Sequence, residues 1–273
     1  MQSIALKKIK TQKSKETAIA SGGMTVKAMI LAGDEKDKDK DNENGFLFNK
    51  ALVEIQGKAM IQYIIKALRQ SDAIEEIYVV GQLEGLGSTL EEVDGMILAT
   101  GSIIDNVETA IKSLGDEEPL LIVTCDIPLL RAEAVNNFIE QTKRYEADLY
   151  YPVISRFLCQ EKYPDVKRTY VTLKEGLFTG GNLFLLNPMA MESLDQVGRG
   201  MVRYRKNPLQ MARILGFGFL LRFMLRQVGL EDVERHIEDR FYIRAKAIIS
   251  DYPEIGNDID RLEDIEILGK YLS

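Results

Sequence analysis

Apolar and polar positions along this chain fall into short, repeated units. Lys27-Ala-Met-Ile-Leu-Ala32 is an apolar run that stops at Gly33, the pattern of a strand buried on both faces. Similar strands are expected at Glu76–Val80, Met96–Ala99, Leu120–Thr124 and Asp148–Val153. Between them, apolar residues at helical spacing predict helices over Lys58–Leu68, Ile103–Leu114 and Ala132–Lys143. Buried strands joined by helices predict an α/β fold, a Rossmann-like, mostly parallel sheet with helices on both faces. The second half is mixed. Tyr170–Leu173 and Asn182–Leu186 read as strands, the latter entered through Gly180-Gly181. A helical insertion is expected over about 188–240, followed by a strand at Ala247–Ile249 and a closing helix at Asp260–Tyr271.

One stretch breaks the amphipathic rule. Leu209–Leu230 is apolar nearly all round, with Arg213, Arg222 and Arg226 as its charges. Gly216 and Gly218 divide it into two helices. Such an element belongs in a core or against a second copy of the chain; a cover over an apolar acceptor and docking on a membrane surface are the alternatives. Its longest uncharged window, Ile214–Leu221, is too short to span a bilayer, so no transmembrane segment is expected.

Composition narrows the chemistry. The 273 residues carry 35 Lys and Arg against 42 Asp and Glu, a net charge of −7, which argues against nucleic acid as a partner. His236 is the only histidine, which removes a histidine metal cluster and disfavours a Ser–His–Asp apparatus. It lies on the helix expected at Glu231–Arg240 among charged neighbours and reads as a surface residue. Two cysteines, Cys125 and Cys159, are too few for a disulfide framework or a Cys-ligated zinc, and fit a reduced, cytoplasmic setting. The first 23 residues hold Lys7, Lys8, Lys10, Lys13 and Lys15 against Glu16 alone and read as a leader outside the fold, which leaves 24–273 as one domain.

Candidate chemistry lies where the strands end, because ligands of open α/β sheets bind beyond the carboxyl ends of their strands. Leu31-Ala32-Gly33 ends the first strand, and a glycine there lets backbone N–H groups approach a ligand. Lys50, read as standing just before a strand, is a point charge within reach of a phosphate. Asp126 directly follows the apolar strand Leu120–Thr124; it reads as a ligand-binding carboxylate or as a helix cap. Asp258 and Asp260 project to one side if 256–260 is extended, which suits a hard divalent cation. Asp260 is equally placed to cap the final helix with Glu263.

Five segments occur in an order that resembles the MobA-like NTP transferases: Leu31-Ala32-Gly33, Lys50-Ala51-Leu52, Gly57-Lys58-Ala59-Met60, Asp126-Ile127-Pro128-Leu129, and Asp258-Ile259-Asp260 through Glu263-Asp264-Ile265. The stretch from Lys167-Arg168-Thr169-Tyr170 to Gly180-Gly181-Asn182 is similar to an uncharacterised bacterial branch of that group. The resemblance implies a nucleotidyltransferase that joins a nucleoside monophosphate from an NTP to a small phosphorylated acceptor and releases pyrophosphate. It implies Lys50, Asp126 and Asn182 as catalytic residues, and Asp126, Asp258 and Asp260 as Mg²⁺ ligands. Leu31, Ala32, Gly33, Gly101 and Ser102 would hold the nucleotide, and Arg168, Arg203, Arg205 and Lys206 the anionic acceptor. Arg203, Arg205 and Lys206 fall in Gly198–Lys206, read as a loop.

The chain also departs from that pattern. Asp34 stands where the group has a second glycine. The segment 34–49 has six acids, three lysines and no arginine to grip a triphosphate. Leu262 replaces a proline. These changes favour a second reading, a nucleotide-binding or regulatory protein without catalysis. A third, a nucleotide-sugar glycosyltransferase, expects one Asp-x-Asp after the central strand, and position 128 is Pro.

Overall fold

Strand β1, Val26–Ala32, is an interior strand of the sheet in a computed structural model that describes residues 25–32, 49–82, 91–204 and 208–272. The leader 1–23, Gly33, the acidic segment 34–48, Arg205 and Lys206 lie outside the described residues. A 3-10 turn, Lys50–Leu52, precedes a small hairpin of β2 (Glu54–Ile55) and β3 (Lys58–Ala59). Then come α1 (Met60–Gln70), β4 (Ile74–Gly81), β5 (Gly95–Leu98), α2 (Ile103–Leu114), β6 (Leu120–Thr124), α3 (Ala132–Thr142) and β7 (Leu149–Ser155). The second half adds α4 (Arg156–Lys162), β8 (Val171–Leu173), β9 (Gly176–Gly180) and β10 (Leu183–Leu186). A run of helices follows, α5 (Met191–Tyr204), α6 (Pro208–Leu215), α7 (Phe217–Met224) and α8 (Leu230–Phe241), then β11 (Ala245–Ile249) and α9 (Leu262–Gly269).

The main sheet has nine strands in the order β5-β4-β1-β6-β10-β7-β9-β8, with β11 paired to β7. β5, β4, β1 and β6 run parallel, as α/β crossovers require. β10 is antiparallel to β6 and β7, whereas β11 is parallel to β7. The fold is therefore the α/β sheet expected from the sequence, with a mixed second half.

Alternation along β1 builds the two-sided core. Ala28, Ile30 and Ala32 face one layer with Ile61, Ile64 and Leu68 of α1 and Val135 and Phe138 of α3. Met29 faces the other with Val107, Ala110 and Ile111 of α2 and Met191 of α5. Full burial of each such large apolar side chain stabilises the fold by about 1.5–3 kcal/mol. α2 starts where Ser102 Oγ accepts from the Asp105 backbone N–H while Asp105 accepts from Ser102, a reciprocal cap.

Several expectations are corrected. Lys50 stands on a 3-10 turn rather than directly before a strand, because Asn49 Oδ1 accepts from Ala51 N and folds the backbone there. Gly198–Tyr204, expected as part of a loop, is helical: α5 continues to Tyr204, and its glycines admit neighbours, since a Cβ at Gly198 would fall 2.9 Å from Ile104 Cδ1. The closing helix begins at Leu262, so Asp260 lies before it, and Asp264, not Glu263, accepts from the Asp260 and Arg261 N–H groups. Asp260 is therefore no cap. The apolar stretch divides at Gly216, with Gly218 inside α7, and α7 has no buried residue, against its expected place in a core. His236 is half-buried: its ring stacks on Phe219 at 3.9 Å, and Nε2 lies 2.6 Å from the Leu215 carbonyl, fastening α8 to α6 and α7. Sequence reading also missed α4 and β9, which are short. Among the described residues, no helix is long and apolar enough to cross a membrane.

Candidate functional site

Three chain segments are laced together at the carboxyl end of β6. Asn182, which enters β10, accepts from Thr124 N at 3.0 Å and donates its own N–H to the Ile255 carbonyl at 2.9 Å. Ile259 N donates to the Asp126 carbonyl at 2.9 Å. These backbone bonds hold the segment 255–260 against the end of β6. The close approach explains Gly180-Gly181: a Cβ on Gly180 would collide with the Tyr151 hydroxyl, and one on Gly181 would fall 2.6 Å from Ile255.

Asp126, Asp258 and Asp260 converge there, with one carboxylate oxygen from each within 4.8 Å of the others. Two cations sit among them. Lys50 Nζ donates to Asp126 Oδ2 at 2.8 Å and to Asp260 Oδ1 at 3.0 Å. Arg168 Nη1 pairs with Asp258 Oδ1, and its Nη2 reaches the Gly180 carbonyl at 3.4 Å. Thr124 Oγ1 donates to Asp126 Oδ1 at 2.6 Å, which fixes that carboxylate's rotation. Asp126 does not cap α3, whose N-cap is Arg131.

Electrostatics follow from this packing. Burial pulls the Lys50 ammonium down, but Asp126 and then Asp260 more than offset it, so its pKa ends above the ordinary lysine value. Lys50 is a fixed cation here and not a base. Burial lowers the Arg168 guanidinium. The nearby turn Pro253–Gly256 is anchored by Glu254, which is 0% exposed. Its carboxylate accepts from Arg131 Nε at 2.7 Å and from Lys162 Nζ at 3.0 Å. Two side-chain amides at the site, Asn182 Nδ2 and Asn257 Nδ2, are buried without a partner among the described residues.

The remaining sequence candidates divide. Leu31 and Ala32 end β1 beside Asp126: the Leu31 carbonyl accepts from Cys125 N at 3.2 Å, and the Ala32 carbonyl from Asn49 Nδ2 at 3.0 Å. Asn49 thus clamps the Lys50 turn onto β1, a link that the sequence reading missed; the residue adjoins a lysine already singled out. Gly101 and Ser102 lie after β5, where Ser102 is occupied in capping α2 and Asp105 also binds Arg199 of α5 at 2.5 Å. Arg168 belongs to the carboxylate cluster, whereas Arg203 is carried by α5.

Three oxygen-donor carboxylates at this separation suit a hard divalent cation such as Mg²⁺. Lys50 and Arg168 are the built-in counter-charges of the same set. The arrangement can neutralise and orient a polyphosphate; its side chains are carboxylates and cations.

Comparison with known proteins gives a consistent picture. The model of the MobA-like NTP transferase domain matches residues 28–197. The 3-deoxy-manno-octulosonate cytidylyltransferase of Bdellovibrio bacteriovorus is 23% identical over 239 residues, 82% of this chain and 91% of that protein. A solved hypothetical transferase from Thermus thermophilus is 32% identical with a TM-score of 0.77, covering 89% of this chain and all of that one (100%). The structure of CMP:2-keto-3-deoxy-manno-octonic acid synthetase complexed with CTP shares the fold at 14% identity and a TM-score of 0.57, over 90% of this chain and 98% of that one.

Proposed function

We propose a nucleotidyl transfer for this chain, which belongs to the MobA-like NTP transferase family and is a nucleotidyltransferase. The reaction moves a nucleoside monophosphate from an NTP to a small phosphorylated acceptor. The observation that carries this reading is the meeting of Asp126, Asp258 and Asp260 with Lys50 and Arg168 at the end of β6.

An acceptor oxygen attacks the α-phosphorus. The new O–P bond forms as the bond from the α-phosphorus to the bridging oxygen breaks, and pyrophosphate leaves with that electron pair. A phosphorylated acceptor is already anionic near neutral pH, so the step needs no histidine base. This fits a site whose residues are acids and cations, with His236 engaged between α8, α6 and α7 instead. Asp126, Asp258 and Asp260 would hold Mg²⁺, which when bound neutralises charge on the phosphate oxygens and orients them. Lys50, protonated throughout, meets phosphate charge on one side and orients Asp126 and Asp260 on the other. Arg168 positions Asp258. Asn182 would turn its amide to the metal or acceptor, and Leu31, Ala32, Gly33, Gly101 and Ser102 would hold the nucleotide, as the family resemblance implies. Arg203, Arg205 and Lys206 attract the acceptor's charge.

A second reading of the substrates, cytidylyl transfer from CTP to a sugar acid, is favoured by the likeness to the Bdellovibrio 3-deoxy-manno-octulosonate cytidylyltransferase. One experiment separates the readings. The protein is incubated with Mg²⁺, each of the four NTPs, and either phosphorylated sugars and alcohols or octulosonate-type sugar acids, and pyrophosphate is measured. Release with a phosphorylated acceptor supports the first reading. Release with CTP and a sugar acid alone supports the second. Silence throughout, with nucleotide binding retained, leaves the non-catalytic reading.

A further inference from the structure

α7 has two apolar faces, and among the described residues only one of them is covered. On the inner side, Phe223 packs on the buried cluster of Val153, Leu173 and Phe178, and Phe219 stacks on His236. On the outer side, Phe217 and Met224 are each 73% exposed, with Leu221 and Leu225 beside them at 48% and 58%. Positions 217, 221, 224 and 225 follow the helical repeat and form one stripe. A contiguous exposed stripe of four large apolar residues marks an interaction surface.

Charge identifies the partner. From Leu209 to Leu230 the chain carries three Arg and not one Asp or Glu, inside a protein of net charge −7. Arg213, Arg222 and Arg226 are exposed on α6, on α7 and just after α7, and Arg222 also reaches Asp232 Oδ1 of α8 at 3.4 Å. A second copy docked face to face would bring these arginines against one another with no acid in the segment to meet them. A nucleic acid would satisfy the arginines but leave the phenylalanine, leucines and methionine against phosphate and water. An anionic bilayer satisfies both: apolar side chains enter the acyl boundary while arginine stems lie along it with their guanidinium groups among the headgroups.

We propose that the outer face of α7, with its flanking arginines, docks this protein peripherally on an anionic lipid surface. The proposal is independent of the nucleotidyl-transfer reading, because it uses none of the residues of the carboxylate cluster.

The full chain is sedimented with phosphatidylcholine vesicles with and without phosphatidylglycerol, at low and physiological salt. Binding is expected to the anionic vesicles alone and to weaken with salt, since each arginine at such a surface strengthens binding roughly fivefold. Leu221→Glu and Leu225→Glu each reduce that binding about tenfold or more with an unchanged melting temperature, both residues being exposed. Arg226→Glu reduces it by a similar factor. Three results overturn the proposal: no binding to anionic vesicles, binding that both leucine variants retain (which assigns it to the basic leader), or a dimer in light scattering that Leu221→Glu converts to monomer while lipid binding is unaltered.

Discussion

Lys50 and Asp260 are 210 positions apart in the chain, yet the Lys50 ammonium donates to Asp260 Oδ1 at 3.0 Å while its second carboxylate partner, Asp126, lies at 2.8 Å. One cation thus ties the turn after the acidic segment to the end of β6 and to the segment before α9. In the absence of nucleotide, Lys50 neutralises part of the charge that a divalent cation would otherwise meet.

Lys50→Ala therefore acts in two directions. Nucleotide affinity falls by about 1.5–3 kcal/mol, the scale of a hydrogen bond to a charged group. Binding of Mn²⁺ alone becomes tighter, because Asp126 and Asp260 lose their counter-charge. Calorimetric titration of each ligand into both proteins checks this; an unchanged nucleotide affinity removes Lys50 from the site.

Glu254→Gln tests the support beneath Asp258. The carboxylate is fully buried between Arg131 and Lys162, and its loss leaves two cations facing a neutral amide. Arg131 and Lys162 are partly exposed and can turn to water, so the cost is that of weakened hydrogen bonds to a charged group, about 1.5–3 kcal/mol. Urea denaturation of the variant should show that loss, with the midpoint lowered and the slope unaltered.

Asp148 gives the fold a pH dependence away from the site. Hydrogen bonds from the Arg244 side chain, at 2.8 and 3.2 Å, hold its carboxyl below the ordinary aspartate range, against an opposing push from burial. The folded pKa is thus lower than the unfolded value of about 3.9, so the unfolded chain binds the extra proton. The pair's stabilisation is fully present above that value and is lost as pH falls through the folded pKa. Thermal melts of the protein and of Asp148→Asn should differ at pH 7 and converge at the acid end; a constant difference contradicts the assignment.

Much of this architecture was legible because burial writes itself into local pattern. The strand Leu120–Thr124 and the helix Ile103–Leu114 have the expected bounds, since an unbroken apolar run and a Ser102-x-x-Asp105 cap leave little choice. Gly198 and Gly200 misled the reading of α5, because their role is contact with Ile104 and Ile214, which lie elsewhere in sequence. The exposure of α7 was also hidden: a uniformly apolar segment reads as core, and only its neighbours decide which face is covered. At the site, the three aspartates stood out by position. Their pairing with Lys50 and Arg168 did not, because Arg168 and Asp258 are 90 residues apart and nothing local links them.

The most direct test of the central claim is Asp126→Asn, followed by pyrophosphate release and thermal melting on the same preparation. Asp126 is a partly exposed carboxylate; in the asparagine the amide oxygen can still accept from Lys50, while the amide N–H donates to the Thr124 hydroxyl. The account predicts that turnover is abolished while the melting temperature stays within a few degrees. Retained turnover, or a collapse of stability that explains its loss, would contradict it.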